Sequence, residues 1–406
     1  MADWGTDLHP DILFVIVKKI TDLPDYYRFS YVCRSWRSAA MEYISCYVPS
    51  GAPCLMVPEI DYDISCKLRR LLPFSVVGKD VNKEERDESP QIRLGHKALC
   101  CGSYQGWLGM ISSHEKPQMY LLNPFSDTRI DLPPVSNRMR DHVSNGKQDM
   151  CYGKLIFSKT PDSSSDDDCI VMILHDYSHL DFCKLGDKAW TPIQRLSNSD
   201  SDSSSLTDAI YFNGKLYVVS CFGEILACDL TTSTTEAILT RHYKPHYPIP
   251  RRITFWHLME SRGELFRIWH KVCYKRNGRK VIKQIESLGE NGGEVDVYNL
   301  FDAHYTRRKY RYKTCGFEVH KLGSNSTCIK VESFDGEAVF LGKNQSFSLP
   351  NPNVFGYQGN RIYFSDDRIQ SYGMGVFNME ENCVMKPLYL ENSQLPNSPP
   401  IWVTPK

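Results

Sequence analysis

Apolar runs in this chain stay short. Ile12–Val17 spans six residues, against the roughly 20 that a membrane-crossing helix requires, so no bilayer span is expected. Net charge is absent as well: Lys+Arg and Asp+Glu both number 48 in 406 residues. A balanced total exerts no overall pull toward nucleic acid or a membrane surface. No C-x-x-C pair occurs, and the fifteen cysteines follow no repeated spacing, Cys100-Cys101 being the one close pair. Neither a zinc site nor a disulfide framework suits that scatter, so reduced, mostly buried thiols are expected. H-E-x-x-H, the P-loop and the nucleophile elbow are all missing. His175 and His179 are four apart, but Ile170–Leu174 before them reads as a strand, not a helix that would pair them as ligands. Catalysis, a metal and a cofactor are therefore not expected of this chain. The start, Met1-Ala2-Asp3-Trp4, has no basic segment followed by an apolar one. No signal peptide is expected, and the expected location is cytoplasmic and/or nuclear.

What is present begins with residues 7–43. Pro10 suits the first turn of a helix, where a missing N–H costs nothing. Ile12, Ile16 and Ile20 share one helical face, and Leu13 and Val17 form an adjoining stripe. Phe14 and Val15 widen the apolar surface beyond a single stripe. Leu23-Pro24-Asp25 breaks the helix, with Asp25 placed to cap the next one. A third helix is expected from near Arg34, carrying Trp36. About forty residues rarely build an adequate core alone, so this module must be covered, either by the following domain or by a partner.

Leu8, Pro10, Asp11, Leu13, Val32, Cys33, Trp36 and Arg37 together resemble an F-box, with His9 standing where that family usually has proline. The resemblance implies a three-helix module over residues 1–46. Such a module docks its protein onto the Skp-family adaptor of a cullin-type ubiquitin ligase. It also implies adaptor contacts from Leu8, Pro10, Asp11, Ile12, Leu13, Ile16, Val32, Cys33 and Trp36.

After about residue 50 short β-type runs take over. A glycine followed by an apolar or aromatic run recurs at Gly106, Gly153, Gly214, Gly263 and Gly359, with steps of 47, 61, 49 and 96. The longest step is twice 48, which predicts a degenerate copy near residues 305–320. A period near 48 suits four-stranded propeller blades, kelch-like arrays repeating at ~50 residues. A β-sandwich or two unrelated β-domains would also accommodate short strands. Leu122–Ser126, Gly223–Leu230, Phe317–Leu322, Phe340–Ser348 and Ile362–Asp367 resemble a plant family of F-box proteins whose carboxy-terminal domain is a β-propeller. The resemblance covers nearly the whole chain. It implies a mainly β fold with a small α module, the propeller occupying 47–406 with six blades, or seven. It further implies a non-catalytic substrate receptor that holds an unidentified target protein for ubiquitination. A non-degradative scaffold is the alternative. Pro400–Pro405 resembles the family's closing strand and is expected to pair with Cys54–Val57, fastening the ring and removing a sheet edge.

Charge is unevenly spread. Residues 158–208 hold 10 acidic and 4 basic residues, and residues 241–313 hold 17 basic and 7 acidic. The serine-rich acidic stretches near 161–168 and 197–205 read as loops between strands, open to phosphorylation. Mass spectrometry of protein from its native cells that found only bare serines there would remove that idea. Arg307, Lys309, Arg311 and Lys313 alternate along one face of an extended segment, a candidate partner-binding basic strand. A merely solvated face has the same pattern, and nucleic-acid binding is disfavoured.

Overall fold

The computed structural model describes residues 8–20, 28–47, 52–58, 65–69, 91–93, 98–112, 118–126, 128–135, 154–161, 169–175, 178–195, 205–230, 237–243, 255–276, 279–280, 310–323, 327–365, 374–385 and 400–404. Among the described residues, α1 (Pro10–Lys18) and α2 (Arg34–Tyr47) precede a body made of strands, and residues 28–30 between them are helical too. Among the described residues no helix is long and apolar enough to cross a membrane.

The strands fall into largely antiparallel groups along the chain. β1 (Cys54–Pro58), β2 (Ser65–Arg69) and β3 (Gln91–Arg93) pair in sequence. β4 (Ala98–Tyr104), β5 (Trp107–Ser112), β6 (Met119–Asn123) and β7 (Thr128–Asp131) form a meander. A third group holds β8 (Lys154–Phe157), β9 (Ile170–His175), β10 (His179–Lys184) and β11 (Thr191–Arg195). A fourth holds β12 (Leu206–Phe212), β13 (Lys215–Ser220), β14 (Ile225–Asp229) and β15 (Ala237–Tyr243). These two groups join where β11 runs parallel to β15. The fifth group comprises β16 (Phe255–Ser261), β17 (Glu264–Arg276), the short β18 (Arg279–Lys280), β19 (Tyr310–Leu322) and β20 (Cys328–Val331). The sixth comprises β21 (Ala338–Leu341), β22 (Ser346–Leu349), β23 (Arg361–Phe364), β24 (Gly375–Asn378) and β25 (Cys383–Val384). β22 also pairs in parallel with β16. The final strand, β26 (Ile401–Val403), returns to the start and pairs with β1, placing Cys54 opposite Val403, Leu55 opposite Trp402 and Met56 opposite Ile401. The expected closing pair therefore forms.

Hairpin chemistry explains the recurring glycine. Gly106, Gly214 and Gly263 each stand second in a two-residue turn, after Gln105, Asn213 and Arg262, and φ is positive at both positions of each turn. That geometry suits the right-handed twist of the flanking strands and favours glycine. Two other cues behave differently. Gly153 precedes the first strand of its group, and Gly359 precedes β23, which lies beside β21 in parallel. The step of 96 is not two copies either. β16 through β20 span residues 255–331 as one long group, so the degenerate repeat expected near 305–320 is instead its strand β19.

Apolar faces are shared between successive groups. Cys101, Trp107 and Leu121 pack with Leu155, Phe157 and Val171, and Ile156 and Met172 pack with Ala209, Leu216 and Val218. β9 is buried at every position, as a strand covered on both faces must be. No group could bury these residues alone, so neighbours stabilise one another. Cys100 and Cys101 are buried thiols, and desolvation, aided by the charge of Cys101, pushes Cys100 up to about 12. Ten cysteines are free among the described residues, whereas Cys315 is disulfide-bonded, a departure from uniformly reduced thiols.

Candidate functional site

Among the described residues, the module's helices α1 and α2 begin at Pro10 and Arg34. Pro10 opens α1, and His9 caps it: its carbonyl accepts from the amides of Ile12 at 2.9 Å and Leu13 at 3.2 Å. His9 Nδ1 accepts from the Asp11 amide at 3.4 Å, so the residue that departs from the family pattern satisfies an otherwise orphan donor. Asp11 in the first turn and Lys18 in the last suit the helix dipole. The turn into α2 is closed by amides of Tyr31 and Val32 donating to the carbonyls of Arg28 and Phe29, both at 3.3 Å. The Arg37 amide then donates to the Cys33 carbonyl at 2.9 Å. The expected cap at Asp25 lies outside the described residues.

One side of the module is anchored. Leu13, Val17, Phe29, Ala39 and Ala40 join an apolar cluster with Cys54, Met56, Cys100, Met110, Ile401 and Val403, where the chain's two ends meet. Leu8, Ile16 and Trp36 lie partly buried against it. Trp36 rests on Phe29 with ring centroids 4.5 Å apart, and its buried Nε1 has no hydrogen-bond partner among the described residues.

The other side is bare. Ile12 is 50% exposed, Val15 56%, Tyr31 68% and Val32 51%. Among the described residues, these four account for most of the exposed large apolar side chains, the rest being Phe222, Ile329 and Val354. Ile12 and Val15 lie one turn apart on α1; Tyr31 and Val32 lie in the turn entering α2.

The sequence-derived contact residues therefore divide. Pro10, Asp11, Ile12 and Val32 are exposed, and Cys33 is a half-buried free thiol. Leu8, Ile16 and Trp36 serve the inner packing as well. Leu13, 1% exposed, lies in the core cluster. Val15 and Tyr31 were missed as surface residues. For Val15 the available signal was its position off the Leu13–Val17 stripe.

Of the candidate basic strand, Arg311 and Lys313 lie on β19, paired with β17, while Arg307 and Lys309 fall outside the described residues. So do the cores of the two serine-rich stretches, which separate β8 from β9 and β11 from β12. His175 ends β9 and His179 begins β10, and His175 Nε2 lies 3.1 Å from Asp181 Oδ2 within that buried hairpin. Lys154 Nζ lies 2.6 Å from Asp208 Oδ1, whose carboxylate also accepts from the amides of Ala209 at 2.8 Å and Leu258 at 2.9 Å. That buried pair ties β8 to β12 and β16. Among the described residues no three metal-ligating side chains converge.

A sequence model of the KIB1-4 beta-propeller matches residues 79–378. F-box protein SKIP23 of Arabidopsis thaliana is 22% identical, the match covering 100% of this chain and 96% of that protein. F-box protein At2g17036 of the same plant is 23% identical over 100% of this chain and 95% of its own. The solved N-terminal domain of Nup159 aligns at 10% identity and a TM-score of 0.30, covering 71% of this chain and 63% of that one. That score is too low to bear on the fold. The mainly β body, whose last strand returns to its first, agrees with the family match across most of its length: the chain belongs to the KIB1-4 beta-propeller family, and relatives similar to it are named as F-box proteins of Arabidopsis thaliana.

Proposed function

We propose that this chain is the substrate-receptor subunit of a Skp-cullin-F-box ubiquitin ligase. Residues 1–46 dock a Skp-family adaptor, and through it a cullin. Residues 47–406 form a six-bladed propeller that holds a target protein, each strand group supplying one blade. The chain contributes no catalytic group. It raises the effective concentration of target lysines near the conjugating enzyme. It acts in the cytoplasm and/or nucleus.

One observation carries this reading: a helical module anchored on one side leaves Ile12, Val15, Tyr31 and Val32 in solvent on the other. Exposing four large apolar side chains within so few residues is unfavourable unless a partner covers them. The leading contacts are then Pro10, Ile12, Val15, Tyr31 and Val32, with Leu8, Asp11, Ile16, Cys33 and Trp36 at the margin and Leu13 inside.

The test is capture of a purified plant Skp-family adaptor by the full chain. The double substitution Ile12→Asp with Val32→Asp, at solvent-facing positions, is expected to abolish capture while circular dichroism stays unchanged. Undiminished capture by that folded variant would count against the assignment.

A further inference from the structure

The fifth strand group carries a feature that the docking module does not explain. β17 and β19 are each 13 residues long, and they stay paired beyond a register shift at Lys271/Val272 out to Arg276 and Tyr310. β18 adds a third strand at that end. The register there brings like charges level with one another. Lys275 stands opposite Arg311 on one flank and Lys280 on the other. One residue further, Arg276 stands opposite Arg279 and Tyr310, and Lys313 lies opposite Cys273. No Asp or Glu occurs between Leu265 and Lys280, or between Tyr310 and Phe317. Arg311 and Lys313 thus share a register with a second basic segment, residues 275–280, some thirty residues earlier in the chain.

Like charges directly opposite on paired strands destabilise a sheet. Lys275, Lys280 and Arg311 stand level in register across three strands, a like-charge pairing that an anion would offset. The ligand chemistry follows from the spacing. Arg311 and Lys313 recur every second residue, about 6.6–6.8 Å along the strand, as do the carboxylates of alternate residues in an extended peptide.

We infer that the extended end of β17, β18 and β19 is a binding surface for an acidic peptide segment of the target protein. This inference rests on the reading of the chain as a receptor for protein targets.

The experiment uses the full chain and fluorescence anisotropy with three labelled probes: octaglutamate, octaglutamine and oligothymidine of eight nucleotides. Octaglutamate is expected to bind, to weaken as salt is raised through the screening range, and to bind Lys275→Gln/Arg311→Gln at least about tenfold more weakly. Octaglutamine is expected not to bind. A wild-type chain that ignores octaglutamate, a double variant that binds it equally, or tighter binding of oligothymidine each overturns the inference. Should the double variant fail to fold, Lys280→Gln on the two-residue β18 replaces it, with the same expected direction and the same overturning result. Adaptor capture is measured in parallel. Its loss in the wild-type chain counts against the docking proposal and leaves the peptide result standing by itself.

Discussion

The side-chain carbonyl of Gln345 accepts a hydrogen bond from the Phe157 amide at 3.1 Å, linking positions 188 residues apart. The Gln345 amide meanwhile donates to the Ser103 carbonyl at 3.0 Å, and Ser103 Oγ donates to the carbonyl of Trp402. The loop between β21 and β22 thus reaches β4, β8 and, through Ser103, the closing strand β26. In a propeller this is an internal tie across strand groups, made by buried polar atoms. Gln345→Leu removes the acceptor and leaves the Phe157 N–H buried. The expected loss is about 1–3 kcal/mol in urea denaturation, with the same effect seen by fluorescence and circular dichroism.

Closure of the ring has its own test. Trp402 is fully buried opposite Leu55, with its ring 5.0 Å from that of Phe340. Truncation to alanine is expected to cost about 3–5 kcal/mol. Deleting residues 400–406 is expected to cost more and to promote aggregation, because β1 then presents an open edge. Light scattering after size-exclusion chromatography distinguishes the two.

Close approach of strand groups makes some glycines irreplaceable. A β-carbon at Gly102 would lie 2.6 Å from the carbonyl oxygen of Leu155, and backbone cannot swing away as a side chain can. Gly102→Ala is expected to destabilise by about 1–3 kcal/mol, read from a shift in denaturation midpoint.

Acid should weaken the junction between the fifth and sixth groups. Ser261 Oγ and Arg262 Nε both donate to Glu337 at 2.6 Å. Burial pushes Glu337 up, but hydrogen bonds from Ser261, Arg262 and Ser348, with the Arg262 charge, outweigh it and hold the carboxyl below its ordinary value. Burial likewise opposes, and Lys271, His320 and Lys330 overcome, in lowering Glu318. A carboxyl depressed in the folded state adds stability that is full above its unfolded value, about 4.3, and lost as pH falls through the folded one. The denaturation midpoint is therefore expected to drop below about pH 4.3, and Glu337→Gln to flatten that drop. An identical acid profile for the variant would mean that Glu337 makes no such contribution.

Local chemistry was readable in the sequence; distant pairing was readable only where pattern forced it. Pro10 and Arg34 marked helix starts, and the Gly214 and Gly263 turns showed themselves because two-residue hairpins demand particular residues. Cys54–Val57 and Ile401–Val403 were matched through the resemblance of Pro400–Pro405 to a family closing strand, a pairing that also removes an open edge. The burial of Leu13 was not legible, since apolar character alone does not say which side of a helix meets the body. The spacing of 96 misled because β17 and β19 are long and stand far apart in sequence, which mimics two repeats. Gln345, Glu337 and the Lys154–Asp208 pair left no trace, because each acts on a partner dozens to hundreds of residues away.

The docking face itself is most directly examined by hydrogen–deuterium exchange of the full chain with and without the Skp-family adaptor. Added adaptor is expected to slow exchange across residues 10–18 and 28–37, around Ile12, Val15, Tyr31 and Val32, and to leave β8–β15 unchanged. Slowing confined to the strand body, with the helical segments exchanging as before, would contradict it.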